Sequence, residues 1–207
     1  MWRLGAVTVL LVVAAALEAH GGGPAEGTIA VLGDSLTAGF GLAPEEAYPA
    51  LLQERLRRAG YNYRVVNAGV SGDTTAGGLR RVGWVLRSRP TIAIVALGAN
   101  DGLRGLSVAG MRANLEQIVE RFRAEGVRVL LAGMRVPPNY GEAYGREFAA
   151  AFPAVAHKTG AALMPFLLDG VAGDPQLNQA DGIHPNARGQ AIIAARVWRH
   201  LEPLLHK

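Results

Sequence analysis

Nucleophilic catalysis by a serine requires a base and an acid residue that positions the base. This chain has candidates for all three in Ser35, His184 and Asp181, although Ser35 lies far from the other two in the sequence. Ser35 stands in GDSLTAG (33–39), directly after an apolar run. A serine hydroxyl is a weak nucleophile at neutral pH and needs a nearby base to remove its proton. Histidine is the usual base, so the position of each histidine in the chain matters.

His184 is the histidine whose surroundings best suit a catalytic base. The other four fall near the N-terminal apolar segment, inside a helical pattern, or in the C-terminal helix and tail, whereas His184 follows Asp181 in the loop DGIHP (181–185). A carboxylate so placed can accept the imidazole Nδ1–H and leave Nε2 free to take the serine proton. The alternative is that Asp181 and His184 only cap the helix that follows Pro185.

Attack on a carbonyl also requires donors for the developing oxyanion. The backbone N–H of Ser35 is one candidate if a helix begins there, and Gly72 in VSGDTT (70–75) is a second because glycine permits close backbone approach. Asn100 in GAND (98–101) offers a side-chain amide. Such donors stabilise the transition state by about 3 kcal/mol each. Taken singly, Gly72 is equally a turn residue and Asn100 a loop cap.

Strands and helices alternate along the chain, and this alternation predicts which elements position these residues. Apolar, β-branched runs without polar alternation are typical of parallel strands buried on both faces. They occur at 28–33, 63–68, 91–98 and 127–133, with a weaker one at 162–166. Helical patterns occupy 44–60, 74–89, 107–125, 142–159 and 186–202. The pattern predicts a doubly wound α/β sheet, in which ligands bind beyond the carboxyl ends of the strands.

Composition limits the classes of protein that need consideration. The 207 residues favour one domain, and 50% are hydrophobic while 18% are charged, as in globular chains. The net charge of +4 is spread without a basic block, and only 6% of residues are aromatic, so no nucleic-acid partner is expected. The absence of cysteine excludes disulfides, a lipoprotein anchor and thiolate chemistry.

The N-terminus is typical of an exported protein. MWRLGAVTVLLVVAAALEAHGGG has one arginine and then 14 apolar or small residues from Leu4 to Leu17, fewer than the about 20 that a membrane-spanning helix needs. We predict a signal peptide over 1–19, a flexible linker over 20–27 and the domain over 28–207. The alternatives are an uncleaved anchor or a buried helix. The predicted location is the periplasm or the medium, without membrane insertion after cleavage.

Four separated blocks together resemble the SGNH (GDSL) hydrolase family. They are GDSL (33–36), GVSGD (69–73), GAND (98–101) and DGIHP (181–185), in the order that the family has them. The resemblance implies that Ser35 is the nucleophile, that Asp181 and His184 complete the triad, and that Gly72 and Asn100 join the Ser35 amide in the oxyanion hole. It covers essentially the whole predicted mature chain.

Longer matches narrow the resemblance to the bacterial periplasmic multifunctional esterases with acyl-CoA thioesterase I, lysophospholipase and arylesterase activities. GANDGLRG (98–105), PPNYG (137–141) and DGIHPN (181–186) carry it, with Ala99 where close members often have glycine. The resemblance implies a single flavodoxin-like, three-layer α/β domain. It implies a serine esterase that hydrolyses small-molecule or lipid esters and thioesters through an acyl-enzyme, without a cofactor or metal. We expect a monomer, although the sequence itself leaves the oligomeric state open.

Three further residues are predicted to contribute to substrate binding. Asp34 adjoins the nucleophile, and it also suits a role in ordering its turn through backbone amides. Pro138 and Tyr140 belong to PPNYG, which we expect to lie over the cleft, although a surface loop without substrate contact is an alternative. Two other functions stay open: a carbohydrate O-deacetylase of the same fold, and a non-catalytic lipid-binding module.

Overall fold

The computed structural model describes residues 27–206. The predicted signal peptide and most of the predicted 20–27 linker lie outside the described residues. Gly27, the last residue assigned to that linker, is instead the first residue of a strand.

Five parallel strands form one sheet. They are β1 (Gly27–Gly33), β2 (Tyr63–Gly69), β3 (Ile92–Ala96), β4 (Arg128–Ala132) and β5 (Ala162–Met164), in the spatial order β2-β1-β3-β4-β5. This is the flavodoxin-like order: β2 is added on one side of β1, and β3, β4 and β5 are then added on the other side. The predicted fold class is confirmed.

The burial of each strand follows its place in the sheet. Residues 28–33 of β1 and all of β3 are buried, as their uninterrupted apolar sequences predict. β2 forms an edge, so Arg64 and Asn67 face solvent and its burial is only partial. The prediction of burial on both faces was therefore wrong for β2, because an edge strand has a neighbour on one side only.

Seven α-helices accompany the sheet within residues 27–206. They are α1 (Ser35–Ala38), α2 (Tyr48–Arg58), α3 (Thr75–Leu86), α4 (Ala99–Leu103), α5 (Val108–Ala124), α6 (Glu142–Thr159) and α7 (Ala187–Leu201). α3, α5 and α6 pack side by side in one layer, and α2 packs against α7 in the other. Parallel strands are joined by right-handed crossovers. Because these crossovers run in opposite directions on the two sides of β1, they place helices on both faces of the sheet.

The structure differs from the predicted helices at three points. The predicted 44–60 helix is a 3₁₀ turn over Pro44–Glu46 followed by α2, because Ala47 is extended with ψ 140°. The short helix α4 was not predicted, and α1 was considered only as a helix that could begin at Ser35, since four or five residues carry no periodic signal. Within residues 27–206, no helix combines the length and apolarity needed to cross a membrane.

Candidate active site

Ser35 is positioned by the end of β1 and the beginning of α1. The carboxylate of Asp34 caps α1 by accepting the Leu36 N–H at 3.0 Å, as its position in the sequence predicts. Ser35 is then the first residue of the helix, where backbone N–H groups have no intrahelical acceptor. Its amide is therefore free for an incoming oxygen, and the residue as a whole is only 9% exposed.

A chain of hydrogen bonds joins Ser35, His184 and Asp181. Ser35 Oγ lies 2.9 Å from His184 Nε2, and His184 Nδ1 lies 2.6 Å from Asp181 Oδ2. A carboxylate can only accept, so His184 Nδ1 donates to Asp181 and Nε2 accepts from the Ser35 hydroxyl. The structure thus brings together the three residues predicted from GDSL and DGIHP, with the proton arrangement that a general base needs.

Asp181 also folds the loop that carries His184. Its Oδ1 accepts the backbone N–H groups of Ile183 and His184, each at 2.9 Å. The His184 amide, the His184 imidazole and the Ile183 amide lower the pKa of Asp181 to about 2, since hydrogen bonds stabilise its charged form. The group therefore stays ionised at neutral pH, as its role toward the imidazole requires.

Two residues that the sequence did not single out hold His184 in place. The Gln179 backbone N–H donates to the His184 carbonyl at 2.7 Å, and its side chain donates to the Phe40 carbonyl at 2.7 Å. The Phe40 ring in turn packs on the imidazole, with 4.6 Å between ring centroids. The two contacts of Phe40 join segments more than 100 positions apart, so no local pattern indicates them.

The other predicted oxyanion donors, Gly72 and Asn100, follow β2 and β3 at the same edge of the sheet. Gly72 has φ +79°, a left-handed conformation that favours glycine, and Arg104 fixes it by donating to its carbonyl at 2.9 Å. Asn100 Nδ2 donates to the Asp73 carbonyl at 3.0 Å and contacts Asp34 Oδ2 at 3.3 Å. Because the contact with Asp34 is long, the Asn100 hydrogen that makes it is available to a stronger acceptor.

Asp73 and Asp101 order these loops through partners on α3. Arg81 binds Asp73 at 2.6 Å and donates to the Ala68 and Gly33 carbonyls, tying the ends of β1 and β2 together. Asp101 is buried and accepts both the backbone N–H and the hydroxyl of Thr75, at 2.8 and 2.6 Å. Both aspartates therefore order the loops at this edge, and the sequence did not indicate Arg81 or Thr75 as their partners.

Asp34 is completely buried beside the candidate nucleophile. Burial raises the pKa of its carboxyl from 3.8 to about 6, and the Leu36 hydrogen bond offsets this only in part. Its Oδ2 faces the Asn100 amide, so it contacts a candidate oxyanion donor as well as the turn of α1.

The raised pKa of Asp34 makes stability depend on pH. A carboxyl with a higher pKa in the folded state stabilises the fold below the unfolded pKa, and this contribution is lost as pH rises through about 6. Asp34→Asn cannot ionise. Between about pH 3 and pH 7 its free energy of unfolding, relative to wild type, should therefore rise by about 3 kcal/mol. Urea unfolding across this range measures the difference, with the exposed Asp174→Asn as matched control. Parallel curves for wild type and Asp34→Asn would contradict the prediction.

A cavity of about 670 Å³ opens beside Ser35 and His184. Its walls are mainly apolar and come from α4, from the loop after β4 and from the segment 165–186 that precedes α7. We call it the cleft cavity; its apolar and aromatic lining residues are Leu36, Ala99, Leu103, Val136, Pro137, Pro138, Phe166, Leu168, Ala172 and Ile183. An acyl chain fits such a lining because burying apolar surface stabilises it.

The two residues predicted from PPNYG occupy different places. Pro138 lines the cleft cavity. Tyr140 is not among its lining residues within 27–206; its hydroxyl donates to the Leu103 carbonyl at 2.7 Å and its ring stacks on Tyr144. Tyr140 is therefore placed to support the Leu103 wall.

These features together define the architecture of a serine hydrolase. A flavodoxin-like sheet carries at its carboxyl edge a Ser–His–Asp hydrogen-bonded chain, backbone and amide donors, and an apolar cavity. Comparison with known proteins names the family within that class.

The sequence model of the GDSL-like lipase/acylhydrolase family matches residues 31–192. The chain is 47% identical to esterase TesA of Pseudomonas aeruginosa over 179 residues, covering 86% of this chain and 89% of that protein. It is 39% identical to thioesterase 1/protease 1/lysophospholipase L1 of Escherichia coli, covering 86% and 85%. The crystal structure of psychrotrophic esterase EstA from Pseudoalteromonas sp., inhibited by monoethylphosphonate, aligns with TM-score 0.83 and 36% identity over 88% of this chain and 100% of that chain. The chain therefore belongs to the GDSL-like lipase/acylhydrolase family, a family of ester hydrolases, as its four sequence blocks predict.

Proposed function

We propose that this protein is a serine esterase that hydrolyses carboxylic esters and thioesters through an acyl-enzyme on Ser35. The observation that carries the proposal is the 2.9 Å contact between Ser35 Oγ and His184 Nε2 at the mouth of the cleft cavity. The names of the relatives, which include an esterase and a thioesterase/lysophospholipase, support the same reaction class. Arylesters, lysophospholipids and acyl thioesters are the substrate types proposed.

Acylation begins when His184 Nε2 takes the hydroxyl proton of Ser35 and Oγ bonds to the carbonyl carbon. Asp181 stabilises the imidazolium that forms and holds its ring in position. When the tetrahedral intermediate collapses, the carbon–oxygen or carbon–sulfur bond breaks and the imidazolium gives its proton to the leaving alcohol or thiol. Water then repeats the sequence on the acyl-enzyme and releases the acid.

The oxyanion is held by the backbone N–H of Ser35, the backbone N–H of Gly72 and the side-chain amide of Asn100. Asn100 keeps its hydrogen bond to the Asp73 carbonyl at 3.0 Å, and the oxyanion replaces Asp34 Oδ2 as the main acceptor of its second hydrogen. Because these donors are already fixed by α1, the Gly72 turn and Asp73, they cost little reorganisation when charge develops.

The size of the cleft cavity predicts activity on acyl chains longer than acetate. In a p-nitrophenyl ester series from acetate to palmitate, kcat/KM should rise beyond acetate, because each buried methylene contributes up to about 0.8 kcal/mol of transfer free energy. A Leu103→Ala variant, which shortens one wall, should shift this preference, and Leu106→Ala, at an exposed residue just after α4, serves as control.

The same series separates the two alternative functions. A carbohydrate O-deacetylase would show activity that falls sharply beyond acetate, contradicting the proposed preference. A non-catalytic lipid-binding module would hydrolyse none of the esters and would not react with a fluorophosphonate. No metal or cofactor enters the proposed mechanism.

We also propose that the protein is exported, because the sequence of residues 1–19 is typical of a signal peptide. Fractionation of the source bacterium and N-terminal sequencing of the mature protein test it. In the periplasm or medium, lipid and small-molecule esters would be more abundant than acyl-CoA. We propose a monomer, which light scattering of the purified protein tests.

A further inference from the structure

A second cavity, of about 250 Å³, lies beyond the cleft cavity on the β5 side of the sheet. We call it the arginine pocket. It is formed where the loop after β4 and the segment after β5 meet the C-terminal half of α7. The residues used below are Arg135, Phe166, Asp169, Arg196, Arg199 and His200.

The arginine pocket carries a surplus of positive charge. Three guanidinium groups face one carboxylate, that of Asp169, which is paired with Arg196. Among residues 27–206, neither Arg135 nor Arg199 has an ion-pair partner. Two cationic groups are therefore available to an anion, and His200 adds a further nitrogen to the lining.

Two of the three arginine side chains, those of Arg196 and Arg135, are also restrained by contacts within the protein. The ion pair with Asp169 restrains Arg196, and the guanidinium of Arg135 lies over the Phe166 ring, 5.0 Å from its centroid. A guanidinium whose side chain is already restrained loses less entropy when it binds a ligand. The planar fork of arginine matches the oxygens of phosphate, which it can contact in pairs.

The arginine pocket adjoins the cleft cavity. Arg135 and Phe166 line both. Ser35 follows β1 and Arg135 follows β4, and only β3 lies between these strands, whose axes are therefore about 10 Å apart. This adjacency is the basis for placing the alcohol or thiol end of a substrate attacked at Ser35 in the arginine pocket.

We propose that the arginine pocket binds a phosphate group on the alcohol or thiol part of the substrate. This inference rests on the proposed esterase function, because it places the scissile carbonyl at Ser35. Two sources present the same phosphate chemistry: the glycerophosphate head group of a lysophospholipid, and the phosphates of a coenzyme A thioester. Arg199 serves only the arginine pocket, since it does not line the cleft cavity.

Binding of glycerol 3-phosphate and of coenzyme A to the purified protein, measured by calorimetry, tests the site without requiring turnover. Arg199→Glu should weaken binding at least tenfold. Arg64→Glu is the matched control: it makes the same charge change on an exposed residue of β2, at the opposite edge of the sheet. The ligand that binds more tightly identifies the source of the phosphate. Absence of binding by both at about 10 mM, or equal loss in the two variants, would overturn the proposal.

Hydrolysis gives a second readout. The ratio of kcat/KM for lysophosphatidic acid to that for the monoacylglycerol with the same acyl chain should fall at least tenfold in Arg199→Glu and stay unchanged in Arg64→Glu. The ratio for butyryl-CoA over butyryl-N-acetylcysteamine should change likewise if coenzyme A is the source. Unchanged ratios in Arg199→Glu would contradict the proposal. Failure to hydrolyse even neutral p-nitrophenyl esters would instead contradict the esterase function.

Discussion

Ser35→Ala should lower kcat/KM for p-nitrophenyl esters by a factor of roughly 10⁴ to 10⁶, because no acyl-enzyme can form without the hydroxyl. The fold should persist. The hydroxyl makes one side-chain hydrogen bond, to His184, so its loss changes the free energy of unfolding by only about 1 kcal/mol. Steady-state kinetics and thermal unfolding of the same preparation measure the two effects.

A control variant separates the role of Ser35 from a general effect of losing a serine. Ser88 follows α3 and donates to the Val85 carbonyl at 2.7 Å. Ser88→Ala should keep wild-type kinetics. Activity of Ser35→Ala within tenfold of wild type would rule out Ser35 as the nucleophile.

Asp181→Asn should lower kcat by a factor of roughly 10³ to 10⁴ while leaving the loop folded. The asparagine oxygen can still accept the Ile183 and His184 backbone N–H groups that Oδ1 accepts now. Its NH₂ group, however, would face His184 Nδ1 and require that nitrogen to accept. The proton would then lie on Nε2, which could no longer take the proton of Ser35.

Whether the loss falls on kcat or on KM distinguishes this explanation from disorder of the loop. Asp174→Asn, the same change in the same 165–186 segment, should preserve activity, since its oxygen can still accept the Gln176 N–H. For Asp181→Asn the loss should fall on kcat, with KM within a few-fold of wild type. An unchanged kcat would show that Asp181 only caps the turn.

The strands and the site loops were predictable because their signals are local. Uninterrupted β-branched runs indicated β1 and β3, and parallel strands must end at a common edge. That rule places Ser35, Asn100 and Gly72 together without knowledge of any contact. The end of β3 was overestimated because Leu97 and Gly98 continue the apolar sequence although Gly98, with φ +113°, already turns the chain.

The supporting contacts were not predictable because they join distant parts of the chain. Gln190 on α7 accepts the Tyr48 N–H and donates to the Leu36 carbonyl, which fixes the turn of the nucleophile from 154 positions away. Gln179 acts on Phe40 in the same way. Glutamine has many ordinary surface roles, so only the three-dimensional arrangement reveals these two.

The arginine pocket was missed for a related reason. Arg135, Arg196 and Arg199 are separated in the sequence and form no basic block, so the charge pattern did not indicate an anion site. The meeting of β4, β5 and α7 at one corner brings them together.

Covalent labelling tests the central claim most directly, since the account requires Ser35 itself to become acylated. The protein should react with a fluorophosphonate to one equivalent, and mass spectrometry of peptides should locate the added group on Ser35. Asp181→Asn should label far more slowly, and Ser35→Ala should not label at all. A wild-type enzyme that hydrolyses esters but carries the label on another residue, or carries none, would contradict the account.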